Sequence, residues 1–239
     1  MRVAVIGLGA IGLAMSAVGA PSPGVIPPST ELIKLSRQIG YRFGTCVVSR
    51  HGDGAAKAIL SNADRKTIFA HYGNLLDGHC LKSDTAMMFP YDTFRYSIAD
   101  ALVARDLVKV PVPNLTGVPS LDHIATPVAP PAPKANGSEV DQLRYQYQLA
   151  SYERARAARL IDIYGECVVR ENPGASRNLL TTMPETAQEE GWFAALQPAF
   201  ASCLPEGQTV EVSKAALRGT IALNYYRLAE TALKARPPY

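Results

Sequence analysis

The sequence predicts an all-α protein made of two tandem small helical repeats, each with one intra-repeat disulfide, joined by a proline-rich linker. Apolar residues recur at helical spacing, a segment around Cys46 returns around Cys167, and prolines are concentrated between the two segments. The predicted organisation is a signal peptide over residues 1–20, a first repeat over 30–109, a linker over 110–138 and a second repeat over 139–236.

The N-terminal stretch contains GLGAIG, which matches the G-x-G-x-x-G spacing of dinucleotide-binding folds. That fold needs a second strand soon afterwards, but Pro27 and Pro28 occupy its place and cannot donate hydrogen bonds to a sheet. An export signal explains the same residues better: Arg2 precedes an uncharged apolar run to about Met15, and small residues follow up to Ala20. We therefore predict a secretory signal peptide and a periplasmic or secreted protein, with an uncleaved N-terminal anchor as the alternative.

The composition narrows the range of partners. The formal net charge is only +3, which is too small to indicate binding to nucleic acid or to an anionic membrane surface. We predict no nucleic-acid partner and no membrane contact beyond the N-terminal signal. The partner is not identified by the sequence, and another protein of the cell envelope is a candidate.

The first repeat begins with a helical pattern. Leu32, Leu35, Ile39, Phe43 and Cys46 follow one another at steps of 3, 4, 4 and 3, which places them on one face of a helix. A later helix of this repeat is predicted to start at Pro90, because proline is well suited to the first position of a helix.

The second repeat carries clearer boundary signals. Asn172 followed by Pro173 predicts an N-cap and a first helical residue, Pro198 predicts a bend or split in a helix, and Ser213 predicts the cap of the last helix. Thr209–Val212 is the only segment that resembles a strand. The inner side of the last helix is predicted to carry Leu217, Ile221, Tyr225, Leu228 and Ala232.

The tandem repeat is predicted from two aligned segments. FGTCVVSRHGDGAAKAILS spans Phe43–Ser61, and YGECVVRENPGASRNLLTT spans Tyr164–Thr182. Each contains an aromatic residue, then Gly-x-Cys-Val-Val, then Gly-Ala and a basic residue. Chance alignment of helical sequences is the alternative, although it would not place all four cysteines in two matching pairs.

Four cysteines allow three disulfide connectivities in an oxidising compartment. The repeat selects one of them, in which Cys46 pairs with Cys80 and Cys167 pairs with Cys203. The other two connectivities would tie the repeats together across the linker, and four free core thiols remain a further alternative. The cysteines lack C-x-x-C spacing, so we predict neither a metal site nor a redox site or cofactor.

An arginine also recurs in the last helix of each repeat, as Arg95 and Arg218. Each could hold an anionic ligand. The favoured interpretation is structural, with each guanidinium bound to a carboxylate or to helix-end carbonyls of its own repeat.

The linker is rich in proline and lacks both helical and alternating patterns. This composition indicates an extended, semi-rigid connection with few large apolar residues to bury. Its backbone is therefore expected to be open to proteases.

The Cys-Val-Val signature, together with Cys-Leu-Pro at Cys203 and Leu-Arg-Gly at Arg218, resembles uncharacterised exported proteins of sphingomonad-type alphaproteobacteria. The resemblance is clearest in the second half of the chain. It implies an exported helical protein, and it implies no activity.

One stretch permits an enzymatic interpretation. Val47 to Gly52 ends in Arg-His-Gly, which resembles the motif of histidine phosphatases, with His51 as nucleophile and Arg50 as phosphate ligand. That family needs an α/β sheet and a second histidine beside an acidic residue. The matching part of the second repeat predicts that His51 lies in an exposed helix–helix connection.

We therefore predict an exported helical protein with a non-catalytic binding or envelope role. A hydrolase that uses Arg50 and His51 is the alternative. The sequence does not decide whether the two repeats share one core.

Overall fold

The computed structural model describes residues 2–3, 29–81, 91–133, 137–205 and 210–235. The described chain is mostly α-helical, which confirms the predicted all-α class. The predicted signal peptide, apart from Arg2–Val3, lies outside the described residues, and so does Pro90.

Eight α-helices lie in the described residues: α1 (Thr30–Leu60), α2 (Arg65–His71), α3 (Tyr91–Leu102), α4 (Glu139–Glu171), α5 (Pro173–Leu180), α6 (Ala187–Ala195), α7 (Gln197–Ser202) and α8 (Lys214–Lys234). Short 3₁₀ turns cover Gly73–Leu75 and Gly78–Cys80, and a π-helical turn over Val103–Leu107 follows α3. The strands β1 (Arg2–Val3) and β2 (Val210–Glu211) pair in antiparallel fashion, with Arg2 opposite Glu211. The strand predicted over Thr209–Val212 is therefore two residues long among the described positions.

Local sequence signals account for the helix boundaries of the second half of the chain. The side chain of Asn172 accepts a hydrogen bond from the Ala175 N–H at 2.9 Å, and Pro173 is the first residue of α5. Ser213 caps α8 in the same way. Pro198 lies in the first turn of α7, after α6 has ended. These side chains satisfy N–H groups that the first turn of a helix leaves without partners.

Helix α8 is the centre of the fold. It packs against α3, α4 and α5, and α1 packs against α3. Every residue from Leu217 to Ala229 is buried, so the opposite face of α8 is covered as well as the predicted inner side. Because one continuous group of buried apolar residues includes members of α1, α3, α4 and α8, the two halves of the chain share a single core.

Helix α1 begins outside this core. Leu32 and Leu35 are 57% and 49% exposed, whereas Phe43 is 4% exposed. The predicted apolar face is thus buried only after the helix has reached α3.

Two disulfides confirm the predicted pairing. Cys46 is bonded to Cys80 with a Cα–Cα distance of 5.5 Å, and Cys167 is bonded to Cys203 with a distance of 5.8 Å. Each bridge joins a long helix, α1 or α4, to the short helical turn that precedes the last helix of its half.

Glycine permits two very close helix contacts. A Cβ atom on Gly44 of α1 would lie 2.0 Å from the Ser97 carbonyl oxygen of α3, and one on Gly165 of α4 would lie 2.3 Å from Thr220 Oγ1 of α8. At Gly44 no larger side chain fits without moving α3, because the neighbouring atoms are backbone, whereas at Gly165 the neighbouring atoms belong to the side chains of Thr220 and Asn224.

The segment between α3 and α4 contains neither helix nor strand from Pro111 to residue 133 among the described residues. Its first part is nevertheless fastened to the second half of the chain. Arg177 donates to the Val110 carbonyl at 2.6 Å, and Arg170 donates to the carbonyls of Val118 and Pro119. Arg159 binds the His123 carbonyl at 2.9 Å. The expectation of a uniformly open backbone is therefore wrong for residues 110–124, because arginines of α4 and α5 bind its carbonyl groups.

Candidate functional site

His51 lies at a kink inside α1. Its φ of −132° and ψ of 28° are not helical, although the helix continues on both sides. His51 thus lies at the junction of two helical segments, as expected from the sequence, but its side chain is only 23% exposed, so the expectation of an exposed histidine is wrong. In the second half of the chain, Asn172 separates α4 from α5.

The carboxylate of Asp77 gathers the polar groups near this kink. His51 Nε2 lies 3.0 Å from Asp77 Oδ2, and Arg50 Nε donates to the same oxygen at 2.7 Å. The His79 backbone N–H donates to Oδ1 at 2.9 Å. The hydrogen bonds from His51 and then from His79 hold the pKa of Asp77 well below its usual range.

These contacts suit a structural role. Asp77 joins the kink of α1 to the turn that carries Cys80, and His51 Nδ1 lies 3.4 Å from the amide nitrogen of Asn74. The other arginine near His51 is Arg105, and it is bound to Asp106. Among the described residues that line the hollow around His51, the two arginines, Arg50 and Arg105, are both bound to carboxylates, so neither guanidinium is free to receive a phosphate group.

Arg218 is buried and fully bonded. It donates to Asp100 Oδ2 at 2.8 Å and to Glu189 Oε1 at 3.1 Å. It also binds the helix-end carbonyls of Leu179 and Thr182. With 3% of its surface exposed, this guanidinium is occupied by protein groups.

Arg95 is buried in α3 of the first half. It donates to Asn62 Oδ1 at 2.6 Å and lies 3.7 Å from Asp162 Oδ2. Asp162 belongs to the other half of the chain, whereas Arg218 binds one carboxylate from each half, Asp100 and Glu189. The expectation that each arginine binds only groups of its own half is therefore wrong for the pairs with Asp162 and Asp100, while Glu189 and the helix-end carbonyls on Arg218 do come from its own half.

A groove of about 600 Å³ lies where the two halves meet. We call it the central groove, and it is bounded by α1, α3, α4 and α8. Its polar lining includes Ser36, Arg37, Tyr41, Asp92, Thr93 and Ser97. Its apolar lining includes Ala157, Ala158, Ile161, Ala215 and Ala216.

Arg37 closes the inner end of the central groove with a network of buried charges. It is bonded to Glu185 and, at 2.6 Å, to Glu189. Glu189 is also bonded to Arg218, so two guanidinium groups share one carboxylate. No motif in the sequence indicates this network, because its members are far apart along the chain.

Asp92 is the one carboxylate lining the central groove that forms no ion pair with another described residue. Burial raises the pKa of Asp92, the nearby carboxylate of Asp162 raises it further, and Arg95 partly offsets both effects. No motif in the sequence marks Asp92. Its one sequence signal is a difference between the segments before Arg95 and Arg218, because Ala215 occupies the matching position.

Comparison with protein-family profiles, curated proteins and solved structures gave no match for this chain. Among the described residues, no helix is long and apolar enough to cross a membrane. In the same part of the chain, no three His, Cys, Asp or Glu side chains are grouped to hold a metal ion.

Proposed function

We propose that this chain is an exported, disulfide-linked helical protein that acts by binding a ligand in the central groove, and that it catalyses no reaction. One observation carries this proposal. The groove has the volume of small-molecule sites, and most of its surface is apolar although polar side chains line one wall.

The proposal includes a tandem repeat, in which α1–α3 and α4–α8 are copies of one unit joined by the proline-rich linker. Two features of the backbone support it. The break at His51 corresponds to the break at Asn172, and the close contact of Gly44 with α3 corresponds to that of Gly165 with α8.

The buried arginines also support the repeat. Arg95 binds Asn62 just after the end of α1, and Arg218 binds Thr182 just after the end of α5. Asn62 and Thr182 occupy matching places in the aligned segments. Equivalent side chains thus make equivalent contacts in both halves.

Export is supported by the two disulfides, which persist in oxidising compartments, and by the charge and apolar pattern of residues 1–20. The resemblance to exported sphingomonad-type proteins belongs to the same proposal. Expression in a Gram-negative host should yield a periplasmic product that begins near Ala20 or Pro21 by N-terminal sequencing. A cytoplasmic product that retains Met1 would contradict export.

The groove is tested with N-phenyl-1-naphthylamine, an uncharged dye that fluoresces in apolar sites. The mature protein should bind it, and Ala158→Trp should abolish binding because the indole fills the groove. Ala150→Trp is the matched control, since Ala150 is exposed on the same helix and does not line the groove. Equal binding by both variants would place the dye elsewhere and refute the site.

A hydrolase that uses His51 is the second candidate, because Arg50 and Asp77 do lie beside this imidazole. Asp77 holds Nε2, which leaves Nδ1 as the nitrogen that could attack phosphorus. The paired cations favour binding over this chemistry. We expect no turnover of p-nitrophenyl phosphate by the mature protein, and activity that disappears in His51→Ala would make the hydrolase the better function.

A further inference from the structure

We infer that the central groove takes a small amphipathic cation, a molecule with an apolar body and a protonated amine at one end, and that the amine lies against Asp92. This inference rests on the proposed function, because it names the ligand class of the same groove. It follows from the different chemistry of the two walls.

The walls of the groove are formed by matching positions of the two halves. Counted from Cys46 and Cys167, Arg37 matches Ala158. Counted from Arg95 and Arg218, Asp92 matches Ala215 and Thr93 matches Ala216. The first half thus contributes a polar wall, and the second half contributes a wall of small apolar side chains.

This difference selects an amphipathic ligand. An apolar molecule would remove water from the polar wall without replacing its hydrogen bonds, which is unfavourable. A uniformly polar molecule would gain little from the alanines of the second wall. A ligand with one polar end and one apolar body matches both walls.

Asp92 is the reason to expect a positive charge at the polar end of the ligand. Arg37 is neutralised by Glu185 and Glu189, and the Ser36 hydroxyl donates to the Ile33 carbonyl at 2.8 Å. Asp92 forms no ion pair with another described residue and is partly removed from water. Arg95 is near enough to offset part of this burial but forms no ion pair with Asp92. A partly buried carboxylate whose charge is compensated only in part is costly, so a cation in the groove relieves that cost.

Aromatic side chains add to the preference for a cation. Tyr41 and Tyr96 line the same groove as Asp92. Aromatic rings attract cations through the negative charge of their faces. The Tyr96 ring packs on Gly219 of α8, so Tyr41 is the ring to which this preference applies, and together with Asp92 it favours a protonated amine over a neutral alcohol.

Arg154 is the group that argues for an anion. It lies at the exposed outer edge of the groove, and its Nε donates to the Ala150 carbonyl at 3.1 Å. Exposure to solvent weakens its attraction for a ligand carboxylate, whereas Asp92 is partly buried and acts in a less polar environment. An anionic amphiphile is therefore the competing ligand, and the experiment includes it.

The experiment is calorimetric titration of the mature protein with n-octylammonium, octanoate and octanol at neutral pH. Octylammonium should bind at least tenfold more tightly than octanoate or octanol. Asp92→Asn should weaken octylammonium binding by about tenfold and leave octanol binding unchanged. Asp53→Asn, which removes an exposed carboxylate outside the groove, should change none of the three affinities.

The outcomes separate this inference from the proposed function. If the uncharged dye binds in the groove but octylammonium does not bind better than octanol, the cation inference fails and the binding function stands. Tighter binding of octanoate, or no effect of Asp92→Asn, also overturns it. If Ala158→Trp leaves dye binding unchanged, the groove itself is wrong. Thermal unfolding of each variant shows that a lost affinity is not caused by unfolding.

Discussion

The two halves of the chain both interrupt a long helix shortly after a disulfide-bonded cysteine, but the residue behind the interruption differs. In the second half, α4 ends before Asn172, and Pro173, which lacks the N–H that would continue the helix, starts α5. In the first half, the residue behind the non-helical His51 is Gly52, which keeps its N–H. The two halves thus bend at His51 and at Asn172, and a proline is not required for the bend.

The halves also differ in where they place charge. Arg218 lies in a network with Asp100, Glu189 and Arg37, whereas Arg95 has Asn62 and one distant carboxylate. The linker is attached almost entirely to the second half, through arginines of α4 and α5. In the proposed repeat, matching positions provide the common backbone contacts, and the positions that differ line the central groove and bind the linker.

The largest difference in the free energy of unfolding is expected between substitutions of the two buried arginines. Arg218→Met should lower the free energy of unfolding by about 3–5 kcal/mol, because it leaves buried carboxylates without their counter-charge. Arg95→Met should cost about 1–3 kcal/mol, because Asp162 keeps hydrogen bonds from Tyr96 at 2.8 Å and Thr220 at 3.2 Å. Urea unfolding at neutral pH measures both.

The pH dependence of Arg218→Met provides a control. Burial raises the pKa of Asp100, although Arg218 lowers it in part. Without Arg218 the ionised Asp100 destabilises the fold, and protonation removes that penalty as the pH falls through its raised pKa. The deficit of the variant should therefore narrow in acid. Equal losses for the two arginine variants would contradict the comparison.

The disulfides should contribute nearly equally. Their sequence separations are 34 and 36 residues, and chain-entropy arithmetic gives each loop about 4 kcal/mol. We compare Cys46→Ala/Cys80→Ala with Cys167→Ala/Cys203→Ala by urea unfolding. A loss confined to one pair would mean that the two bridges are not equivalent in the folded protein.

Substitution of the two closely packed glycines should destabilise the protein to different degrees. Gly44→Ala should cost about 3 kcal/mol, because its new methyl group meets the backbone of Ser97, which can move only with α3. Gly165→Ala should cost about 1–2 kcal/mol, since it meets the side chain of Thr220. Thermal unfolding of both variants tests the order, and Gly191→Ala, at a site open to solvent, is the control.

Glu166 tests the attachment of the linker to the second half. Burial raises the pKa of Glu166, but hydrogen bonds from His123, Arg170 and the Leu121 N–H outweigh burial and hold it below its usual value. The stabilisation is therefore present above the usual glutamate pKa and is lost as the pH falls through the lowered one. Glu166→Gln should cost about 1 kcal/mol near neutral pH and less in acid. A cost that does not change with pH would contradict the assignment of this stabilisation to the ionised Glu166. Thr45, which has no carboxylate, holds the matching position in the first half.

Limited proteolysis gives the smallest and most local effect. Cleavage should fall within residues 125–133, where Val128 is 93% exposed, and should spare residues 110–124. Glu166 accepts a hydrogen bond from the Leu121 N–H, so Glu166→Gln should weaken this contact and extend cleavage toward Leu121. Mass spectrometry of the fragments locates the cuts, and cleavage first within residues 110–124 would show that the arginine contacts do not hold the linker.

The sequence alone determined the helical class, the disulfide pairing and several helix boundaries. These features depend on signals within short stretches, such as Asn172 before Pro173, Ser213 before α8, or a cysteine that recurs at the same place. A cap or a period of apolar residues acts through neighbouring residues, so it can be recognised without the fold.

The tertiary structure decided the rest. Arg218 finds Asp100 across 118 residues, and Arg37 finds Glu189 across 152 residues, and no motif marks either pair. The relative positions of the helices likewise determine the exposure of Leu32, the attachment of the linker and the shape of the central groove. Charge pairing and burial are set by the positions of whole helices, and those positions follow from packing around α8 and not from any single stretch of sequence.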